Sequence, residues 1–198
     1  MPPVLRWIRP RLNRNAAEAA IAVLSPGERR RLDGLAGVQR QQFLAGRLLL
    51  RRLVAEMTGE APADVEVTAV CPDCDIEHGK PLAGAPGLHV SLSHTADLVV
   101  AAASWDGAIG VDVEARQLTA TLLRAIGSVA GEASLEHWTR VEAILKADGR
   151  GLRVDPSTVS IADVGGTLEG TVPGSPITYE IGTVDLAPGS RVSIAVAR

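Results

Sequence analysis

The run Ile109-Gly-Val-Asp-Val-Glu, followed about thirty residues later by Trp138-Thr-Arg-Val-Glu-Ala-Ile-Leu-Lys146, constrains the fold more than any other part of this chain. Side chains alternate along a strand, so Val111 and Val113 face one way while Asp112 and Glu114 face the other. Residues four apart share a helix face, so Glu142 and Lys146 stack one above the other. A strand with one acidic face needs a cationic partner or a solvated edge. If that helix packs on that strand, three carboxylates and one ammonium converge. Three hard oxygen donors suit Mg²⁺, which keeps waters and takes phosphate oxygens for its remaining positions. Chemistry on a phosphate ester follows as the expectation. Glu142 and Lys146 could instead pair with each other across one helical turn, an interaction worth only ~0.3–0.5 kcal/mol.

The surrounding pattern predicts an α+β fold. Val4–Ile8 reads as a first strand bounded by prolines, and Asn15–Leu24 has an Ala-rich helical character. Ser25-Pro26-Gly27-Glu28 opens a second helix, with serine at the N-cap and proline at the first helical position. Apolar residues at helical spacing extend a third helix over residues 38–57, ending near Gly59, with Arg47 and Arg51 on one flank. Short β runs follow at Val65–Val70, Leu88–Ser93, Leu98–Ser104 and Ile109–Glu114. The turn Ser93–Asp97 joins the middle two as a hairpin and carries His94. Two more helices are expected, from about Leu118 to Val129 and from Ser134 to Ala147, the latter stopping at Gly149 and Gly151. The tail reads as strands only, at Thr158–Ile161, Thr167–Val172, Ile177–Val184 and Arg191–Ala197. Each half therefore has helices followed by a small antiparallel sheet. Halves of 1–104 and 105–198 are expected, with a ligand site between them.

The chain has 198 residues, 46% of them hydrophobic and 22% charged, which suits a folded protein rather than a disordered one. Its net charge of −3 conceals an asymmetry: residues 1–53 hold eleven arginines against Glu18, Glu28 and Asp33, and the remainder is acidic. A phosphorylated ligand shared between arginines and a metal would suit that division, although a solvated basic helix face is an equal alternative for most of these arginines. No run approaches the ~18 apolar residues of a membrane span, and the first ten residues lack the order of a signal peptide. A cytoplasmic protein without membrane or nucleic-acid partners is expected. Both cysteines lie in Cys71-Pro-Asp-Cys74, four residues before His78. Structural zinc sites are almost always four-coordinate, so a turn with two reduced thiols is favoured. A bound metal would need Asp73 or Asp75 to complete its shell.

Four blocks in register carry a resemblance. They are Gly79-Lys80-Pro81, Leu92-Ser93-His94-Thr95, Gly110-Val111-Asp112-Val113-Glu114, and Trp138 through Glu142, Lys146 and Gly149-Arg150-Gly151-Leu152. Together they closely resemble the 4′-phosphopantetheinyl transferases of the larger, pseudo-dimeric (surfactin-synthetase-activating) type, from about Leu24 to the C-terminus. The resemblance implies an enzyme that moves the phosphopantetheine arm of coenzyme A to a serine of an acyl- or peptidyl-carrier protein, releasing 3′,5′-ADP. It implies that Asp112, Glu114 and Glu142 hold Mg²⁺, with Mn²⁺ as an alternative, and that coenzyme A is the co-substrate. Glu142 would deprotonate the serine, with Lys146 and His94 completing the catalytic group. Lys80, Ser93, His94 and Lys146 would contact the phosphates, with Arg31 and Arg47 as further phosphate partners. An acidic carrier protein is the implied partner, and a monomer is expected because both halves belong to one chain.

Three departures stand against that pattern. Val141 replaces a frequent lysine, and Thr95 replaces a serine. The stretch between Glu114 and Trp138 is short and lacks the aromatic block that commonly precedes the last helix, near the family's carrier-docking surface. Trp138 itself is expected in the core. Two alternatives therefore stay open: a coenzyme A-binding pseudoenzyme, and a metal-dependent hydrolase of a diphosphate or phosphodiester.

Overall fold

The computed structural model describes residues 2–198 except 72, 75, 117, 118, 187 and 188. It divides into two units, one of them Val4–Ala103 and the other built on Ser104–Arg198. Asp75, considered above as a metal ligand, and Leu118, the expected start of a helix, lie outside the described residues.

In the first unit, β1 (Val4–Ile8) leads to α1 (Arg14–Ala22), α2 (Pro26–Asp33) and the long α3 (Gly37–Thr58). The start of α2 carries a full capping box. The Glu28 N–H donates to Ser25 Oγ (3.1 Å), and the Ser25 N–H donates to Glu28 Oε2 (2.8 Å). After β2 (Val67–Thr68) and β3 (Leu82–Ala83), a two-stranded pair, come β4 (His89–His94) and β5 (Val99–Ser104). The order β1-β5-β4 makes β5 the central strand, and its six residues are all buried. α3 is covered on two sides. Leu49, Leu50, Leu53 and Val54 pack with Val90, Val99 and Ala101 of the sheet, while Phe43, Leu44 and Leu48 pack with Ala20, Leu24 and Leu32. A helix enclosed on two sides buries its polar residues too, so Arg47 and Arg51 are nearly inaccessible.

β2 is much shorter than the run Val65–Val70 expected as a strand. The chain turns out of the ladder instead: the Gly79 N–H donates to Ala69 O (2.6 Å) and the Cys71 N–H to Ile76 O (2.8 Å). Those bonds bring Gly79 back to Ala69 and Cys71 to Ile76, so the donors concerned are satisfied locally. His94 is the last residue of β4 rather than part of the turn.

The second unit begins with β6 (Ile109–Ala115), α4 (Ala120–Ala130) and α5 (Leu135–Asp148). Two single 3₁₀ turns follow, then β7 (Ser160–Val164), β8 (Thr167–Thr171), β9 (Thr178–Val184) and β10 (Ser190–Ala197). They form one antiparallel sheet in the order β6-β10-β9-β8-β7. α5 lies on this sheet, with Val141, Ile144, Leu145 and Ala147 against Tyr179, Ile181 and Ala195. It is capped by Ser134, whose side chain accepts from the His137 N–H, and it stops at Gly149 with φ 87°. The fold is thus mixed α+β with antiparallel sheets. Among the described residues, no helix is long and apolar enough to cross a membrane.

Candidate functional site

Gly110 sets the distance between β6 and α5. A β-carbon there would sit 1.9 Å from the Ala143 carbonyl oxygen and 2.5 Å from the Ala147 nitrogen, so only glycine lets the helix backbone come this close. Alternation puts Asp112 and Glu114 on the same face as Gly110, under the helix. Register places Ser193 of β10 opposite Asp112, and Arg191 opposite Glu114. The Thr139 and Ser193 hydroxyls share a buried hydrogen bond of 2.8 Å, which ties the helix to the sheet beside Asp112.

The structure brings Asp112, Glu114, Glu142 and Lys146 together within this one unit. Lys146 Nζ donates to Asp112 Oδ1 at 2.5 Å, so the lysine reaches across to the strand. Burial raises the pKa of Glu142; Asp112 and Glu114 push it the same way, and Lys146 opposes them. Burial also raises that of Glu114, reinforced by Asp112 and opposed by a hydrogen bond from the Trp138 indole and by Lys146. Mutually repelling, half-desolvated carboxylates are the environment that a divalent cation relieves. The donors are all hard oxygens, which fits Mg²⁺ by type. Their spacing is open rather than closed: among the described residues, the three-ligand set that gathers within 4.8 Å is Cys71, Cys74 and His78 in the other unit.

Trp138 is half-buried rather than in the core, and its N–H serves Glu114. Its ring also lines an apolar cavity of about 260 Å³ with Leu122, Ala125, Ile126 and Val129, and Glu114 borders the same space. Val141, by contrast, is fully buried in the sheet core. Its position does not face the carboxylates, so a lysine there would have to leave the core to reach them. Arg191 is a residue the sequence did not single out. It lies beside Glu114 and 3.5 Å from Glu136, and only the β6–β10 register reveals it.

The first unit holds a basic cavity of about 340 Å³. Arg31, Arg47, His78, His94 and Gln42 line it, with Phe43 and Leu92. Both guanidiniums lie over the Phe43 ring, at 5.1 and 5.2 Å from its centroid. Arg47 Nε pairs with Glu28 Oε1 at 3.1 Å, and Arg51 Nη2 with Glu28 Oε2 at 2.7 Å. One buried carboxylate therefore serves two buried arginines and the helix cap. The charge of Glu77 also acts on Arg31 and Arg47, so two carboxylates stand against three arginines beside the cavity. Arg31 Nη1 donates to Glu77 O at 2.6 Å, which orients its guanidinium.

Arg31, Arg47 and His94 thus share one cavity, whereas Lys80 and Ser93 are not part of its lining. Strand alternation sends Ser93 to the face of β4 opposite Leu92 and His94, where it is buried. Lys80 belongs near His89: burial, and then the charge of Lys80, hold that imidazole below its ordinary pKa.

No known protein-family model matches the chain, and no curated protein matches it either.

Proposed function

We propose that this chain is a Mg²⁺-dependent 4′-phosphopantetheinyl transferase of the pseudo-dimeric type, acting on the serine of an acyl or peptidyl carrier protein. The observation that carries the reading is the grouping of Asp112, Glu114, Glu142 and Lys146 on β6 and α5, at the positions that match the family's motifs. Two units, each with helices against an antiparallel sheet, support the pseudo-dimer half of the proposal. The basic cavity supports a phosphorylated ligand, because arginine forks match phosphate oxygens.

Asp112, Glu114 and Glu142 would hold the Mg²⁺, which when bound neutralises diphosphate charge and polarises the phosphoryl oxygens. The rest of the chemistry falls to side chains. The serine hydroxyl is a weak nucleophile until its proton leaves, and Glu142 is the base for it. A carboxylate whose pKa is raised holds that proton better than an exposed one. The new bond joins the serine oxygen to the phosphorus bearing pantetheine, while the bond from that phosphorus to the bridging diphosphate oxygen breaks. Charge developing on the departing 3′,5′-ADP is met by Lys146. The apolar cavity between Leu122, Val129 and Trp138 gives a carrier protein a hydrophobic seat near Glu114, in place of the aromatic block this chain lacks. A monomeric, cytoplasmic enzyme completes the reading.

Purified chain incubated with coenzyme A, Mg²⁺ and several apo carrier proteins, from fatty-acid, polyketide and peptide systems, tests it by intact mass. A carrier gaining one phosphopantetheine supports the transferase. Bound coenzyme A with no gain on any carrier would favour the pseudoenzyme, and free phosphopantetheine without carrier would favour the hydrolase.

A further inference from the structure

In the loop at residues 69–79, His78 and Gly79 help to line the basic cavity, but the proposed transfer gives Cys71 and Cys74 no role, and with His78 these gather as soft ligands. Cys71 Sγ, Cys74 Sγ and a ring nitrogen of His78 all lie within 4.8 Å of one another. Cys74 Sγ is 2.9 Å from His78 Nε2. Asp73 Oδ2 is 3.9 Å from Cys71 Sγ, so a carboxylate oxygen stands beside the same group. The convergence is built by the backbone. The Cys71 and His78 N–H groups both donate to Ile76 O at 2.8 Å, which folds the two ends of the loop onto one carbonyl. Gly79 then passes so close to Val70 that a β-carbon would lie 2.6 Å from its carbonyl oxygen. Both cysteines are free thiols.

We propose that Cys71, Cys74 and His78 bind Zn²⁺, with the Asp73 carboxylate as fourth ligand. Zinc–sulfur bonds of ~2.3 Å and zinc–nitrogen or –oxygen bonds of ~2.0–2.1 Å at tetrahedral angles require S···S near ~3.8 Å and S···N or S···O near ~3.6 Å. The Cys74–His78 pair has to open by roughly 0.7 Å and the Cys71–Asp73 pair to close by about 0.3 Å, both within reach of side-chain rotation alone. Two thiolates select zinc over Mg²⁺, so the two metals sort by ligand chemistry: sulfur and imidazole here, carboxylates on β6 and α5. Each thiol gives up its proton on binding.

The site has a mechanical consequence. His78 and Gly79 line the basic cavity, and Arg31 donates to the carbonyl of Glu77, the residue just before them. Zinc would therefore fix one wall of that cavity and the guanidinium anchored to it.

The test uses the full chain expressed with zinc, gel-filtered and analysed for metal. About one zinc per chain is expected. Cobalt exchanged into the site should give the intense visible bands of tetrahedral Co²⁺ and a thiolate-to-metal charge-transfer band in the near ultraviolet. Cys74 and His78 are exposed, so Cys74→Ser and His78→Ala leave the core intact. Each should lower metal content at least tenfold, and Cys74→Ser should weaken the charge-transfer band. Asp73→Asn should retain that band but shift the visible ones. A chain free of stoichiometric zinc, or zinc content unchanged in both Cys74→Ser and His78→Ala, overturns the proposal. So does a Cys71–Cys74 disulfide in chain purified without reductant and lacking metal. None of these readouts depends on transfer activity.

Discussion

Replacing Gly110 with alanine tests whether the site exists because α5 can touch β6. The new methyl would lie 1.9 Å from the Ala143 carbonyl oxygen, against a carbon–oxygen approach of ~3.3 Å even in close strand and helix contacts. The helix must retreat by roughly 1.4 Å, because the obstacle is backbone and no rotamer change removes it. Forcing a close-packed layer apart costs ~1–3 kcal/mol, and the Thr139–Ser193 hydrogen bond, worth ~1 kcal/mol, stretches with it. The total is about 2–4 kcal/mol, or a fall in Tm of roughly 4–16 °C for a chain of this size. Gly46→Ala is the control. Its β-carbon would meet the tip of Leu92 at 2.8 Å, a side chain that can rotate, and alanine gains about 0.8–1 kcal/mol of helix propensity in α3. Urea unfolding should therefore show Gly46→Ala near the parent and Gly110→Ala well below it. Lys146–Asp112 pairing should be lost only in Gly110→Ala. Equal stability of the two variants would refute the claim that this glycine sets the helix–strand distance.

Two further outcomes follow from charge. Glu114 and Glu142 hold protons more tightly in the folded chain than in the unfolded one, where carboxyl pKa values are ~4.3. Between that value and the raised ones the folded state binds more protons, so their contribution to stability falls as pH rises through the window and stays low above it. Mg²⁺ should raise Tm at neutral pH and lose its effect as pH falls through those raised values, before the ordinary carboxylate range is reached. A Mg²⁺ shift that does not vary with pH would contradict the carboxylate site. Glu28→Gln removes the carboxylate that pairs with both Arg47 and Arg51, and should cost ~3–5 kcal/mol in urea unfolding. A loss under about 1 kcal/mol would mean that Arg47 and Arg51 find other partners.

The elements themselves were readable because their signals are local. The Ser25 N-cap, the glycine stops at Gly59 and Gly149, and the alternation at Val111–Glu114 each depend on a few adjacent residues. What distant chain segments decide was not readable. Arg47 and Arg51 could be buried or solvated on pattern alone, and it is the double enclosure of α3 and the Glu28 carboxylate that bury them. Arg191 enters beside Glu114 only through the β6–β10 register. Trp138 reads as core by its bulk, but its indole N–H needs an acceptor and finds Glu114. Alternation alone gives no reason for glycine at position 110, and the approach of Ala143 supplies one. The strand expected over Val65–Val70 stops early because backbone donors at Cys71 and Gly79 turn the chain into a closed loop.

The most direct test of the central claim runs the chain and its Glu142→Gln variant side by side on one apo carrier protein, with coenzyme A, with and without Mg²⁺. Intact mass reads transfer, and equilibrium titration reads coenzyme A binding. The parent chain is expected to add one phosphopantetheine per carrier only when Mg²⁺ is present, and Glu142→Gln none although coenzyme A still binds. Near-normal turnover by Glu142→Gln, or transfer by the parent chain that ignores divalent cations, would contradict it.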